Sequence, residues 1–187
     1  MAYHTLNPNL ILGYHGCDLE VGERILDGED FVPSENDYDW LGHGIYFWES
    51  NPERALHFAE EQKIRGRIQK PFVIGAVLSI PKCIDTTNAS SIVSIQKAYE
   101  GLIHELRQIG KPVPQNIGLR KNLDCAVIMY LHEMLEKKGK GPIDGLRGLY
   151  YEGDAIYPDS SFYDKSHVQL CIRNVECIKA VFRHKFS

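Results

Sequence analysis

No C-x-x-C pair occurs in this chain. Its five cysteines, Cys17, Cys83, Cys125, Cys171 and Cys177, are odd in number and scattered. That pattern signals neither a disulfide framework nor a zinc site, so no metal is expected and buried free thiols are. No apolar stretch approaches membrane length, and the opening MAYHTLNPNLILGYHG has only the short LIL run and no basic segment ahead of it. A cytoplasmic protein with no membrane partner is the expectation. Positive charge is not in excess either: the formal net charge is -4 and the pI about 6.1, which argues against a domain that holds nucleic acid mainly by bulk phosphate attraction. The basic runs Lys63, Arg65, Arg67, Lys70 and Lys137, Lys138, Lys140 read as solvated faces or turns. With no linker, internal repeat or low-complexity segment, residues 1–187 read as a single domain. What is present is 43% hydrophobic and 25% charged residues, enough for a core that needs neither disulfide nor metal.

Along the chain, NLILGYH reads as a short buried strand, and DLEVGERIL as a helix capped by Asp18. After the turn-rich GEDFVPSENDYD comes a strand GIYFW, then a helix through ERALHFAEEQ with Ser50 or Asn51 as cap and Pro52 at its first position. PFVIGAVLSI, bounded by Pro71 and Pro81, suits a strand buried on both faces in mid-sheet. Residues 90–109 and 121–137 repeat apolar residues at helical spacing and predict two amphipathic helices, joined by a loop with Pro112 and Pro114. The last third returns to strands: RGLYYEG, HVQLCIRN and CIKAVFRHKF, with the loop DAIYPDSSFYDKS between the first two. Alternation in HVQLCI puts Val168, Leu170 and Ile172 on a core face and His167, Gln169 and Cys171 on the other.

Three features then stand in order: Tyr14-His15-Gly16 at the end of the first strand, Gly44-Ile45-Tyr46-Phe47 opening the second, and Gln169 on a late strand. Each has an ordinary reading. His15-Gly16 suits a buried strand-end histidine and a turn glycine; GIYF suits an aromatic core strand, which leaves Gly42, Gly44 and the polar loop before them without a purpose. Together they resemble the ADP-ribosyltransferase superfamily, in its diphtheria-toxin and poly(ADP-ribose) polymerase-like branch with the His, Tyr, Glu signature. The resemblance spans most of the chain. It implies an α+β ADP-ribosyltransferase fold, two packed β-sheets around an NAD cleft with flanking helices.

The resemblance also implies site roles. His15 and Gly16, within the stretch Tyr14 to Cys17, would meet the adenosine ribose and the nicotinamide amide, and Tyr46 would stack on the nicotinamide ring. His57 stands where polymerase-like members carry a second stacking aromatic, with Phe58 beside it as a core residue instead. Gln169 occupies the place of the signature glutamate. A glutamine still hydrogen-bonds ribose hydroxyls, but brings no negative charge to an oxocarbenium-like transition state, which argues against chain-elongating activity. His167, two residues earlier, is a candidate general base for the acceptor, or else a surface histidine. Ser34 and Asn36 lie where the family's loop covers the cofactor, and turn formation is their equal alternative. Glu49, ranked ahead of Glu152, is the substitute carboxylate. Tyr157, Phe162 and Tyr163 suit a loop that recognises an acceptor.

The function implied is mono-ADP-ribosyl transfer from NAD to a protein or nucleic-acid acceptor by a bacterial toxin or defence effector, with an antitoxin or immunity protein as an expected partner. An NAD glycohydrolase and a non-catalytic NAD-binding module are the alternatives. Other motifs fail on inspection. His132 and Glu133 lack the second histidine of a zinc helix, since position 136 is glutamate, and GHGIYF lacks the third glycine of a dinucleotide fingerprint.

Overall fold

The computed structural model describes residues 10–186. In chain order the elements begin with strand β1 (Ile11–Asp18), helix α1 (Leu19–Leu26), strand β2 (Ile45–Glu49), helix α2 (Pro52–Ile64) and strand β3 (Pro71–Leu78). Strand β4 (Cys83–Asp85), helix α3 (Ala89–Gln108), strands β5 (Asn116–Ile117) and β6 (Arg120–Lys121) and helix α4 (Asn122–Lys137) follow. Strands β7 (Gly145–Tyr150), β8 (His167–Ile172) and β9 (Ile178–Arg183) come last, with a 3-10 turn over Val175–Cys177. The class is α+β, as the sequence predicts. No helix among the described residues is long and apolar enough to cross a membrane. The chain divides into two compact units: one takes residues up to Asp30, Phe47–Pro81 and those from Val175 on, the other Phe31–Tyr46 and Lys82–Asn174.

In the first unit the strands are antiparallel in the order β2-β1-β3-β9, with β2 represented by Phe47–Glu49. β3 has a ladder partner on each side, and residues 73–76 are buried in succession, as its apolar run between prolines predicts. Helix starts follow their caps. Asp18 accepts from the Glu20 N–H at 3.1 Å, and Asn51 from the Arg54 N–H at 2.9 Å with Pro52 in the first turn. The other Asp18 oxygen accepts from the Gln69 and Lys70 N–H groups at 2.6 and 3.1 Å; these bonds and the Glu20 one hold its carboxyl below the usual carboxylate range. Tyr14, Trp48, Ala55 and Val73 form a core cluster, with Phe58 and Phe182 packed against it.

The second unit is a mixed strand set, ordered β4-β7-β8 and then the Ile45-Tyr46 end of β2. β4 runs parallel to β7, and β8 antiparallel to it. α3 and α4 bury Ala98, Val127, Ile128 and Leu131 in one cluster with Leu41, Ile84, Leu146 and Cys171. Both helices match their predicted spans to within a residue.

β1 starts at Ile11 and continues to Asp18, past His15; Asn9 of the expected strand lies outside the described residues. β7 begins two residues before Arg147 and ends at Tyr150, so Tyr151, Glu152 and Gly153 belong to the connection that follows. Cys177 closes the 3-10 turn and β9 stops at Arg183, before His184. The alternating faces of β8 are not an inside and an outside: His167, Leu170, Cys171 and Ile172 are all buried, because the strand is flanked on both edges and covered on both faces. The short strands β4, β5 and β6 were not expected, and Cys83, on β4, is exposed where a buried thiol is predicted.

Candidate functional site

Gln169 lies on β8 opposite Gly148 of β7. The Trp40 indole crosses Gly148 and donates from Nε1 to Gln169 Oε1 at 2.6 Å. Tyr150, two residues along β7 and so on the same face, places its ring 4.9 Å from the Trp40 ring and 5.6 Å from that of His167. His167 is 5% exposed, which corrects its alternative reading as a surface residue. Its Nδ1 sits 2.7 Å from the Lys165 carbonyl and 3.8 Å from a Glu152 carboxylate oxygen. A carbonyl only accepts, so the neutral imidazole carries its proton on Nδ1 and its lone pair on Nε2. Burial, then the Glu152 and Asp124 charges, raise the Tyr150 phenol above its usual range. Gln169, His167 and Glu152 are thus brought together with Trp40 and Tyr150, two aromatics outside the sequence motifs. Trp40 lies within the turn closed by the Gly42 N–H to the Asp39 carbonyl at 2.7 Å, and nothing in the sequence links it to a residue 129 positions away.

The turn ahead of β2 is built from its own polar groups. Ser34 and Gly44 exchange both backbone hydrogen bonds, at 2.8 and 3.0 Å. Asn36 donates from its side chain to Ser34 Oγ at 2.7 Å and from its backbone to the Asp39 carboxylate at 3.1 Å. Ser34 and Asn36 therefore serve turn formation, the second of their two predicted roles. Tyr46 closes the structure: its hydroxyl accepts from the Leu41 N–H at 3.0 Å and donates to the Gly42 carbonyl at 2.8 Å. Gly42 has φ +77°, a left-handed conformation that costs any residue with a Cβ. The preface of glycines thus lets the turn fold back onto the phenol of the strand it introduces. Ile45 and Phe47 are fully buried and Tyr46 is half-buried, its phenol held far above the usual range by burial, then by Cys171 and Asp39.

In the first unit Tyr14 is a core residue, edge-on to Phe182 and His184 at 6.3 and 5.1 Å. His15 is half-buried, paired with Ile74 on β3 and 5.7 Å from the Phe47 ring. Gly16 has a packing explanation that the sequence does not offer: a Cβ there would run into the Ala55 carbonyl of α2. Cys17 is buried, and burial, then Asp18, push its thiol up to about 12. Glu49 is half-buried at the end of β2, opposite Gly13 of β1. His57 is exposed on α2, while the neighbouring Phe58 packs on Trp48 at 4.9 Å. The inward aromatic of this helix is Phe58, so the stacking place predicted for His57 is not on the covered side. Among the described residues no group of three or more His, Cys, Asp or Glu is placed to hold a metal ion.

No family model matches the chain, and no solved structure matches it. It is similar to the uncharacterized protein MJ0359 of Methanocaldococcus jannaschii, 38% identical over 185 residues that cover 89% of this chain and 83% of that protein. Identity at that level over nearly the whole of both chains shows common descent, and the chain belongs to the same family as this archaeal protein.

Proposed function

We propose that the chain is a mono-ADP-ribosyltransferase of the ADP-ribosyltransferase fold, with NAD as co-substrate and a macromolecular acceptor. The observation that supports this best is the bond from Trp40 Nε1 to Gln169 Oε1. It engages the amide oxygen of the residue in the signature position, so that the amide nitrogen is the group left to donate, and a ribose hydroxyl oxygen is a suitable acceptor. Gln169 then orients the sugar without charging it. The missing negative charge is assigned to Glu152, which stands beside His167, in place of Glu49. In the reaction the bond from ribose C1′ to the nicotinamide nitrogen breaks, nicotinamide leaves with the electron pair, and an acceptor nucleophile bonds to C1′ while its proton passes to solvent, with buried His167 as a positioning residue between Tyr150 and Glu152. From the resemblance, Tyr46 offers the nicotinamide an aromatic face.

The test is NAD labelled in its adenylate half, incubated with the protein and a cell lysate. Label on a macromolecule is the expected result. Gln169→Leu should lower the rate by about tenfold, the scale of losing one hydrogen bond that orients the sugar, and Trp40→Phe should lower it by less. Free ADP-ribose with unlabelled macromolecules selects hydrolysis instead. Calorimetric binding of NAD without turnover selects a non-catalytic module, and absence of binding overturns the proposal.

A further inference from the structure

The segment between β7 and β8, residues 151–166, is an ordered hairpin arm. Its two sides are tied by the Ala155–Tyr163 bridge, by the Ile156 N–H to the Phe162 carbonyl at 3.1 Å, and by the Asp164 N–H to the Asp154 carbonyl at 3.0 Å. The tip is fixed by Ser160, whose N–H donates to the Tyr157 carbonyl at 3.0 Å and whose Oγ accepts from the Phe162 N–H at 3.0 Å. At the base the Asp154 N–H donates to the Asp164 carboxylate at 2.9 Å. A connection shaped this closely by its own backbone needs no large apolar side chains. It carries five and leaves them outside: Tyr151 and Phe162 are 64% and 65% exposed, and Ile156, Tyr157 and Tyr163 are exposed with them. Tyr151 and Tyr163 stand edge to face at 6.1 Å, so part of the set is already arranged as a platform. Apolar rings left in water gain free energy when something covers them.

The charge of the arm selects the cover. Residues 151–166 hold four carboxylates, Glu152, Asp154, Asp159 and Asp164, against one lysine, Lys165. Asp154, Asp159 and Asp164 are exposed on the same segment as the rings. Carboxylates repel a phosphate backbone, whereas aromatic faces beside carboxylates attract a guanidinium or ammonium group through ring quadrupole and ion pairing together. We infer that the hairpin arm of residues 151–166 is a docking surface for a lysine- or arginine-bearing segment of a partner protein. The inference does not rest on the NAD chemistry proposed above, because the arm's exposure, order and charge are independent of it.

The experiment uses the full chain and fluorescence anisotropy at low salt with three labelled probes: an Arg/Ala dodecapeptide, a Glu/Ala dodecapeptide and a 12-nucleotide RNA. The basic peptide should bind, the acidic one should not, and the double variant Tyr157→Ser, Phe162→Ser should weaken the basic peptide by about tenfold, the loss of one good cation–ring contact. Asp154→Lys with Asp159→Lys should weaken it further, while Glu100→Lys with Glu133→Lys on α3 and α4 should leave it unchanged. An unaltered urea midpoint shows that each variant is folded. Equal binding to all variants, binding of RNA in preference to the basic peptide, or no binding of the basic peptide overturns the inference, as does a wild-type chain whose arm is covered by a second copy in sedimentation.

Discussion

His132 sits inside α4 with 2% of its surface exposed, and neither ring nitrogen has a hydrogen-bond partner among the described residues. A charged imidazole there would be a buried cation without a counter-ion, which the protein avoids by keeping it neutral. Burial, and after it the charge of Arg173, lower its pKa from 6.5 to about 3. The consequence for stability follows from which state binds the proton. An unfolded chain takes up a proton on this residue near pH 6.5, the folded chain only near pH 3. Between those values the unfolded state holds more protons, so stability falls as the pH drops through the window and levels off below it. The loss by pH 4 is on the order of 3 kcal/mol. His132→Leu, close in size and without a titrating group, should flatten this dependence: urea midpoints measured between pH 7 and 4 should fall less steeply than in the parent chain. Parallel slopes for the two proteins would refute a neutral buried imidazole.

Between residue and fold, the contact of α2 with β1 leaves no room for a side chain at position 16. Ala55 and Ala59 are fully buried, and the Ala55 carbonyl occupies the space where a side chain at position 16 would begin. Gly16→Ala should therefore cost about 3 kcal/mol, the upper end of overpacking, whereas Gly66→Ala, at φ +71° with nothing near it, should cost only the left-handed strain of about 1 kcal/mol. Equal urea midpoints for the two variants would mean that α2 does not press on β1. If Gly16→Ala kept full stability and lost only NAD binding, a ligand and not the helix would explain the glycine. This element also shows what the sequence discloses and what it withholds. Caps at Asp18 and Asn51, Pro52 after the second, and a long apolar run between prolines are local signals, and the elements they announce are there. On α2 the spacing of Ala55, Phe58, Ala59 and Gln62 describes a covered stripe that excludes His57. By contrast β4, β5 and β6 are too short for any period to register. The faces of β8 mislead because alternation marks inside and outside only where one face is wet. Trp40 and Gln169 meet through tertiary structure alone.

At the scale of the molecule the thiols count the packing. Five cysteines are free, and Cys83 is the one that is exposed. Cys17 and Cys177 lie in the first unit and Cys125 and Cys171 in the second, all four buried. Burial, as the main cause, pushes Cys17 and Cys171 up to about 12 and Cys125 to about 11. A thiolate is the reactive form, so a buried thiol with a raised pKa is protected twice, by access and by protonation. With Ellman's reagent at pH 8 the native chain should release one equivalent of chromophore promptly, the denatured chain five, and Cys83→Ser none until it opens. Because each unit holds two protected thiols, identifying the slowly labelled cysteines by mass spectrometry in increasing urea reads the opening of each unit separately. Labelling of Cys17 and Cys177 at one urea concentration and of Cys125 and Cys171 at another would show two opening steps; a single step for all four would show one cooperative transition. Prompt reaction of a second thiol in the native chain would instead mean that at least one of these cores does not pack as described.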